Sequence, residues 1–447
     1  MTPLGRDLSF VSGGHGMTNA SSTTGFIIDL SWLNRTEILH DVILDDTHVD
    51  HVISYEAGAK WDSVYAFTNG SGWIPVGARD SSVGVAGFST GGGIGFLAGA
   101  YGYAVDRLRA MEVVTMNGDI VLATKTNQYS DLFWALQGGN GQFGIVTKFW
   151  QEAAIEPEKT ELGIWIIAND SLDCAYTNME KWFESNKDPF AVVYYAVGYL
   201  PAQVTSGPLG IYTTIVGYRF SSPLDPTQKS FNATFAPLLA GLTLTYNQQM
   251  TVPIAEAPVL LNPYFPYGYR RGFWGTQTTK VTAEYIKRMS LRFSKYVTDA
   301  LARGESPYSA TWVLQYMSPG LNGNLPPSND ATAWPHAISA HQTLFSPAWN
   351  SSRDDEAVYD ALHALNKITY THQSKLDPPF LADYPNYMSP SASGYRLFGG
   401  NVRRLIEVKN KYDPWCRLHQ GRTFATLACE IGGWANLYPD PEPGSDL

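Results

Sequence analysis

The sequence predicts an α+β fold of two units, a glycine-rich N-terminal domain and an antiparallel-sheet domain covered by helices. Residues 1–156 combine short apolar runs with many glycines. Residues 157–375 contain longer strand-like runs that alternate with helical patterns. Residues 376–430 return to a compact pattern that we expect to pack against the first domain. Residues 431–447 are rich in proline, glycine and aspartate, which predicts a flexible tail.

Each element rests on its own pattern. Runs of β-branched and apolar residues predict strands at 25–30, 109–116, 119–124, 162–168 and 191–197, with Asn117-Gly118 as a hairpin turn. Apolar residues at helical spacing predict helices around 61–68, at 131–137 with Ser130 as N-cap, at 281–301 and at 401–411. Asp413-Pro414 ends the last of these helices.

Composition and charge exclude several classes of function. The formal net charge is −10 and no basic run occurs, so no nucleic-acid surface is expected. Residues 81–105 lack Asp, Glu, Lys and Arg, but their eight glycines predict tight loops in a core rather than a membrane span. The three cysteines form no CxxC pair, which argues against a zinc site. A Cys416–Cys429 disulfide remains open at this level.

Two glycine-rich segments are candidates for binding an anion. Ser12-Gly13-Gly14-His15-Gly16 follows an apolar strand-like run, and glycines there allow successive N–H groups to face one diphosphate. The alternative is an ordinary glycine turn. The second segment, 83–95, ends in a formal GxGxxA match (Gly93 to Ala98) to the dinucleotide fingerprint. That fingerprint requires a preceding strand, and a glycine-rich loop precedes it here, so a nicotinamide-dependent dehydrogenase is disfavoured.

Two further segments are less specific. The run from Asp131 to Thr147, DLFWALQGGNGQFGIVT, predicts a capped helix, a glycine turn and a strand, and a purely structural unit explains it equally well. Tyr384-Pro-Asn386-Tyr387 offers two phenols. If extended, this segment places Tyr384 and Asn386 on one side and Tyr387 on the other. A phenol accepts a proton only where a positive or electrophilic partner lowers its pKa, and packing is the alternative role.

The order of these segments resembles the berberine bridge enzyme-like flavin oxidases of the vanillyl-alcohol-oxidase type, particularly fungal enzymes of secondary metabolism. The likeness covers nearly the whole chain and also includes NVRRLIEVKNKYDP at 401–414. It implies a PCMH-type FAD-binding domain, incomplete at its N-terminus, beside the substrate domain. The most specific segment is DLFWALQGGNGQFGIVT.

The resemblance implies a role for each matching position. His15 falls where the family links the flavin 8α-methyl carbon. Tyr384 or Tyr387 is the expected base, and Asn386 lies near the flavin ring. The residues expected to bind the cofactor are Ser12, Gly13, Gly14, His15, Gly16, Val83, Gly84, Gly87, Gly92, Gly93, Gly95, Gly144, Ile145, Val146 and Asn386.

Three departures from the family pattern alter this expectation. Many members carry a second link from a cysteine in a Cys-Pro-Thr-Val run, whereas this chain has Asp80-Ser81-Ser82-Val83. A single link through His15 and no cysteinyl link are therefore expected. Phe88 replaces a frequent histidine, and Ala86 stands where glycine is usual, which bears on oxygen access.

The beginning of the chain leaves its compartment open. Only eleven residues precede Ser12, whereas family members have a further βαβ portion there, so we expect a shortened N-terminus. Six Asn-x-Ser/Thr sequons, at Asn19, Asn34, Asn69, Asn169, Asn232 and Asn350, suit a secreted glycoprotein. No signal peptide follows Met1. The expectation is secretion for a longer protein and the cytoplasm if Met1 is the true start.

These observations predict a monomeric FAD-linked oxidase that needs no metal. A substrate carbon of an alcohol or a similar C–H centre would give hydride to flavin N5, and O2 would reoxidise the flavin to give H2O2. The substrate would be a small secondary-metabolite or sugar-like molecule. Two alternatives stay open: a truncated, non-catalytic remnant of such a flavoprotein, and a flavin dehydrogenase that uses another acceptor.

Overall fold

The computed structural model describes residues 7–200, 209–264, 268–305, 307–421 and 423–433. Its strands are β1 (Leu8–Val11), β2 (Phe26–Asp29), β3 (Thr36–Leu44), β4 (Thr47–Glu56), β5 (Trp73–Ile74), β6 (Leu108–Val114), β7 (Ile120–Thr124), β8 (Ile145–Glu152), β9 (Ala154–Ile155), β10 (Lys159–Ile167), β11 (Ala191–Leu200), β12 (Gly210–Ser221), β13 (Leu244–Val252), β14 (Arg270–Arg271), β15 (Trp274–Thr278), β16 (Pro307–Gln315) and β17 (His341–Trp349).

The α-helices are α1 (Trp61–Thr68), α2 (Val85–Thr90), α3 (Ala98–Tyr101), α4 (Ala104–Arg107), α5 (Ser130–Leu136), α6 (Leu172–Ser185), α7 (Phe231–Leu239), α8 (Ala283–Ala302), α9 (Asp355–Gln373), α10 (Gly394–Phe398), α11 (Val402–Tyr412) and α12 (Leu427–Ile431). Within the described residues, no helix combines the length and the apolar character needed to cross a bilayer. The glycine-rich stretch at 81–105 instead forms the short helices α2, α3 and α4 in the core.

The N-terminal domain is built on a five-stranded antiparallel sheet in the order β3-β4-β8-β6-β7. The strands β1 and β2 form a separate parallel pair that carries the chain into the first glycine segment. Helix α1 packs Trp61 against Tyr55 and Phe88, with ring centroids 5.3 and 5.1 Å apart. Large aromatic rings therefore hold the sheet and the glycine segments together.

The second domain contains an eight-stranded antiparallel sheet, ordered β13-β10-β12-β11-β16-β17-β14, with β15 also paired to β17. Helices α6 to α9 cover one face of this sheet. On α8 the residues at helical spacing, Ile286, Met289, Phe293, Val297 and Ala300, are buried in that layer. Side chains alternate along each strand, so Val193, Tyr195 and Val197 of β11 face the helices while Tyr194 and Ala196 face the N-terminal domain.

The C-terminal segment returns to the N-terminal domain. Lys409 of α11 is fully buried, and its Nζ donates to the carbonyls of Gln142 and Leu418, both at 2.7 Å, and to Asp413 at 2.8 Å. Cys416 and Cys429 form a disulfide with an S–S distance of 1.98 Å, which answers the question that the sequence left open. Most of the proposed tail, from 434 onward, lies outside the described residues.

One local expectation was wrong. Tyr129 is the N-cap of α5 and Ser130 its first residue, so the hydroxyl of Ser130 does not cap the helix. Pro385–Tyr387 is a 3-10 helix, and the proline at its start presets a helical φ. The condition for alternating sides, an extended segment, is therefore not met, and Tyr384 and Tyr387 line one cavity.

Candidate active site

A cavity of about 750 Å³ lies between the glycine segments of the N-terminal domain and the free face of the eight-stranded sheet. The segment from Tyr384 to Met388 closes one side. Its walls are mostly backbone, apolar and aromatic side chains, with hydroxyls, several side-chain amides and the charged Arg79, Asp80 and Arg271 among them. Such a concave, mostly apolar cleft with a few placed polar groups is the usual form of a binding site for a small molecule.

The first two glycine segments cross at van der Waals distance. A Cβ on Gly13 would lie 2.2 Å from the amide nitrogen of Gly84, and a Cβ on Gly84 would lie 2.2 Å from that of Gly13. Glycine is therefore required at both positions. The Ser12 hydroxyl fixes the crossing by donating to the Ala57 carbonyl at 2.6 Å. The crossing places Ser12, Gly13, Gly14, His15 and Gly16 on the cavity wall beside Val83 and Gly84.

The backbone of the first segment suits an anion. Among the described residues, none accepts a hydrogen bond from the amides of Gly13, Gly14, His15 or Gly16. Gly14 has φ +72°, a conformation that glycine adopts without strain. At Gly87, which lines the same cavity, a Cβ would meet no atom within 4 Å. These features provide amide donors and room beside them, as a diphosphate requires.

His15 is held by a short hydrogen-bonded chain. Its Nε2 lies 2.9 Å from Ser82 Oγ, and Ser82 Oγ donates to Asp80 Oδ1 at 2.7 Å. The Ser82 amide also donates to Asp80 Oδ1, at 2.8 Å. Burial lowers the pKa of the His15 imidazole below its ordinary value of 6.5, although the Asp80 carboxylate acts in the opposite direction. Near neutral pH the ring is therefore neutral.

Three other glycines of the second segment, Gly92, Gly93 and Gly95, do not line the cavity. A Cβ on Gly92 would lie 2.8 Å from the ring of Tyr384, and one on Gly95 would lie 2.3 Å from the carbonyl oxygen of Gly77. Gly93 packs equally closely against Ala104. All three were expected to bind the cofactor. They instead permit close packing, Gly92 and Gly93 also have positive φ, and Ile94 lines the cavity between them and the third glycine.

The third segment contributes differently from the expectation. Val146 lines the cavity, whereas Gly144 and Ile145 do not. A Cβ on Gly144 would lie 2.6 Å from Val113 Cγ1, so this glycine permits close packing of β8 on β6. Instead, Asn140, Gly141 and Gln142, in the turn before β8, line the cavity. The sequence analysis missed these three, although their glycine-rich turn was visible in the motif.

Tyr384 is anchored by its hydroxyl. The phenol oxygen accepts hydrogen bonds from the amides of Gly93 and Ile94 and from Asn386 Nδ2, each at 3.0 Å. Asn386 Nδ2 also donates to the Phe88 carbonyl at 3.2 Å. Burial raises the pKa of Tyr384 to about 12. With three donors already on its oxygen, Tyr384 serves to hold the glycine loop in place.

Tyr387 has a different partner. Arg79 Nη2 donates to the Tyr387 hydroxyl, and Arg79 Nη1 donates to the Tyr194 hydroxyl at 3.2 Å. Burial raises the pKa of both phenols, and the Arg79 guanidinium acts to lower them. Sequence reasoning missed Arg79, since an isolated arginine carries no signal. Tyr194 was hidden in a strand-like run, where only the alternation of β11 indicates which face it occupies.

Another part of the cavity wall carries a second set of aromatic residues. Tyr269 and Tyr308 stack with ring centroids 4.0 Å apart and an interplanar angle of 26°. Both line the cavity beside Arg271. Phe273 meets the edge of Tyr387 at 5.0 Å. Flat rings on this side of the cavity can pack against a ring of a ligand.

Comparison with known proteins identifies the kind of enzyme that this chain resembles. The FAD binding domain family matches residues 4–124, and the family described as berberine and berberine like matches residues 383–415. These two matches cover the glycine segments and the Tyr384 to Met388 segment that surround the cavity. The chain is an FAD-linked oxidoreductase that resembles the berberine bridge enzyme-like proteins.

Curated relatives and solved structures of similar proteins agree with that assignment. The FAD-dependent monooxygenase sdcF of Emericella nidulans is 26% identical over 424 residues, covering 90% of this chain and 81% of the relative. The structure of the glycopeptide hexose oxidase DBV29 with teicoplanin aligns with a TM-score of 0.73 and 19% identity, over 94% and 88% of the two chains. A glycine-to-alanine variant of berberine bridge enzyme, named a reticuline dehydrogenase, aligns with a TM-score of 0.68 and 20% identity, over 93% and 84%.

The fold class is thereby confirmed as a PCMH-type FAD-binding domain with a substrate domain. Independently of these comparisons, the groups that line the cavity suit FAD. The cavity offers the amide groups around Gly14, the open space at Gly87 and a neutral imidazole at His15.

Proposed function

We propose that the protein oxidises an alcohol or a similar C–H centre of a small, secondary-metabolite or sugar-like molecule. When bound, FAD would supply a hydride acceptor at N5 and a route for electrons to O2, which gives H2O2. The observation that carries the proposal is that Tyr387, in contact with the half-buried Arg79, and the His15 loop line one cavity. An oxidation of this kind needs a proton acceptor beside a hydride acceptor.

Tyr387 is the proposed base. Its hydroxyl lies at the cavity wall and is bonded to a permanent cation, which stabilises the phenolate form. Tyr194 accepts from the same guanidinium at 3.2 Å, and this second contact fixes the orientation of Arg79 beside Tyr387. Tyr384 was the other candidate, but its hydroxyl oxygen is occupied by three donors.

The residues that line the cavity near Gly14 are the proposed cofactor site. The amides of Ser12 to Gly16 would hold the diphosphate, with Val83, Gly84, Gly87 and Val146 along the cofactor and Asn386 near the ring. His15 would form the single covalent link. Asp80 stands where a cysteine would make a second one, and a carboxylate forms no thioether.

The substrate would occupy the space below the free face of the eight-stranded sheet. Near Tyr387 the lining is aromatic, with Tyr194 and Phe273. The other side chains there are apolar or carry hydroxyls: Thr214, Val216, Thr311, Val313, Leu344 and Ser346. This lining suits a molecule with a ring system and a few hydroxyls. The hexose oxidase DBV29, whose structure was solved with teicoplanin, has the same fold.

Anaerobic reduction tests the proposal. Purified protein is mixed with a panel of primary alcohols, benzylic alcohols and hemiacetal sugars, and the flavin absorbance is followed. At least one alcohol should bleach the flavin, and admitted O2 should restore the colour with one H2O2 per turnover. The variant Val313→Trp fills the substrate side and should prevent bleaching without loss of flavin. A colourless protein would favour the non-catalytic remnant and overturn the proposal.

A second candidate is a dehydrogenase that passes electrons to another acceptor. Ala86 lines the cavity where glycine is usual in the family. The glycine-to-alanine variant of berberine bridge enzyme is itself named a reticuline dehydrogenase. In the same assay, a dehydrogenase bleaches with substrate but recovers its colour slowly in O2 and rapidly with a quinone or a dye.

A further inference from the structure

We propose that Asp80 and Ser82 form a proton relay that presents Nδ1 of His15 as the nucleophile for flavin attachment and accepts the proton from Nε2. The proposal rests on the covalent link through His15. Asp80 is then a replacement with a role of its own rather than a lost cysteine. Asp80 and Ser82 are positioning residues, because they act on the flavin through His15.

The direction of each hydrogen bond follows from the acceptors present. A carboxylate only accepts, so the 2.7 Å contact between Ser82 Oγ and Asp80 Oδ1 uses the single hydroxyl proton of Ser82. Ser82 Oγ must then accept in its 2.9 Å contact with His15 Nε2. Nε2 consequently carries the ring proton. In a neutral imidazole the other nitrogen, Nδ1, holds the lone pair.

The backbone keeps this chain in register. A Cβ on Gly13 would lie 3.2 Å from the carbonyl oxygen of Ser82, so the loops that carry His15 and Ser82 touch beside the relay. The Ser82 amide donates to Asp80 Oδ1 at 2.8 Å, which closes a tight turn and fixes the carboxylate. The relay is therefore built by two rigid loops, and its three side chains all line the cavity. Among the described residues, none hydrogen-bonds Nδ1 of His15.

The attachment step balances with O2 as oxidant. A bond would form between Nδ1 and the 8α carbon, which is the methyl group on ring position 8, and one C–H bond of that carbon would break. The imidazole loses its Nε2 proton along Ser82 to Asp80. Two electrons and two protons are thus removed from the methyl group and the imidazole, and O2 takes them up as H2O2. The relay supplies the acceptor for one of those protons and prevents a positive charge from persisting on the buried ring.

Attachment kinetics test the relay. Protein is produced without flavin in a riboflavin-limited host, FAD is added, and fluorescence retained after acid precipitation is followed. Ser82→Ala removes both relay bonds and should slow attachment about 100-fold, in line with the usual contribution of a positioned proton acceptor. Asp80→Asn should also slow it, whereas Ser82→Thr retains a hydroxyl and should attach within about threefold of the wild-type rate. Ser185→Ala, at the exposed end of α6, is the matched control.

The same samples separate failure of the relay from failure of the link. Non-covalent FAD binding, measured by fluorescence quenching, should be retained in Ser82→Ala, which excludes misfolding. His15→Ala should retain no covalent flavin, and covalent flavin in that variant would overturn the link itself. Attachment by Ser82→Ala and Asp80→Asn at the wild-type rate, with the link intact, would overturn the relay alone.

Discussion

The guanidinium of Arg79 donates a hydrogen bond to the phenol oxygen of Tyr387, at the wall of the cavity that also holds His15. The two residues are far apart in the chain, and they meet because the C-terminal segment returns to the N-terminal domain. A second phenol, Tyr194, shares the same guanidinium from the substrate domain at 3.2 Å. Arg79 therefore joins all three parts of the chain at the place where the proposed oxidation would release a proton from the substrate.

Removal of the Tyr387 hydroxyl should slow the oxidation of substrate. In Tyr387→Phe we expect the anaerobic rate of flavin reduction to fall by about 100- to 10,000-fold, the usual contribution of a general base. Tyr384→Phe is the matched control, since the same atom is lost from a phenol that anchors Gly93 and Ile94. It should lower stability and change the rate much less. Equal rate losses in the two variants would contradict the assignment.

The pH dependence of flavin reduction should report on Arg79. Burial raises the pKa of Tyr387 and Arg79 acts to lower it, so the rate should rise with pH as the phenol loses its proton. In Arg79→Gln the phenol loses its cation, and the midpoint of the pH profile should move to higher pH. Each pH unit of that shift lowers the rate below the midpoint about tenfold. Arg79→Lys retains the charge and should shift the midpoint less. A midpoint unchanged in Arg79→Gln would exclude the proposed role.

Ala86 should limit the reaction with O2. Its methyl group lines the cavity from helix α2, and Ala86→Gly removes it. We expect reoxidation of the reduced flavin to accelerate about tenfold, equivalent to about 1.4 kcal/mol in the barrier. Ala361→Gly, at a buried position of helix α9, controls for the stability cost of glycine in a helix. Stopped-flow mixing of reduced enzyme with O2 measures both, and identical rates would show that Ala86 does not control access.

His341 should make the protein sensitive to acid. Burial lowers its pKa from 6.5 to about 3, and its Nδ1 accepts from the Met317 amide at 3.1 Å. The folded state therefore keeps this ring neutral, while the unfolded chain takes up a proton below about pH 6.5. Its contribution to stability is present above that pH and is lost as the pH falls toward 3.

The measurement is urea unfolding at pH 6.5 and pH 5. In His341→Asn we expect the loss of unfolding free energy between these two pH values to be smaller than in the wild type by about 2 kcal/mol. The amide oxygen of Asn can still accept from Met317. His363→Asn, at an exposed position, should leave the loss unchanged. The same pH dependence in His341→Asn and the wild type would contradict the assignment.

The sequence predicted the parts of this fold that depend on local periodicity. Helix α1 at Trp61–Thr68 and the hairpin of β6 and β7 follow from side-chain spacing and from the Asn117-Gly118 turn. The roles of the glycines were harder to predict, because glycine serves two different purposes in this fold. Gly14 and Gly87 face the cavity, whereas Gly92 and Gly144 allow neighbouring side chains to approach closely. Only the three-dimensional packing distinguishes the two uses.

The site was only partly predictable for a related reason. His15 and Tyr387 were found because they stand in motifs. The roles of Arg79 and Tyr194 depend on a contact between the two domains, which the sequence does not show. The relay from Asp80 through Ser82 to His15 depends on a contact between two loops, and the sequence showed only that a cysteine was missing there.

Peptide mapping of the purified protein tests the central claim most directly. The protein is precipitated with acid, digested and analysed by mass spectrometry with fluorescence detection. A single link through His15 predicts one flavin per chain, on the peptide that contains His15, and no flavin on the peptide that contains Asp80. Protein that releases all its flavin into the acid supernatant, or a flavin attached to any residue other than His15, would contradict it.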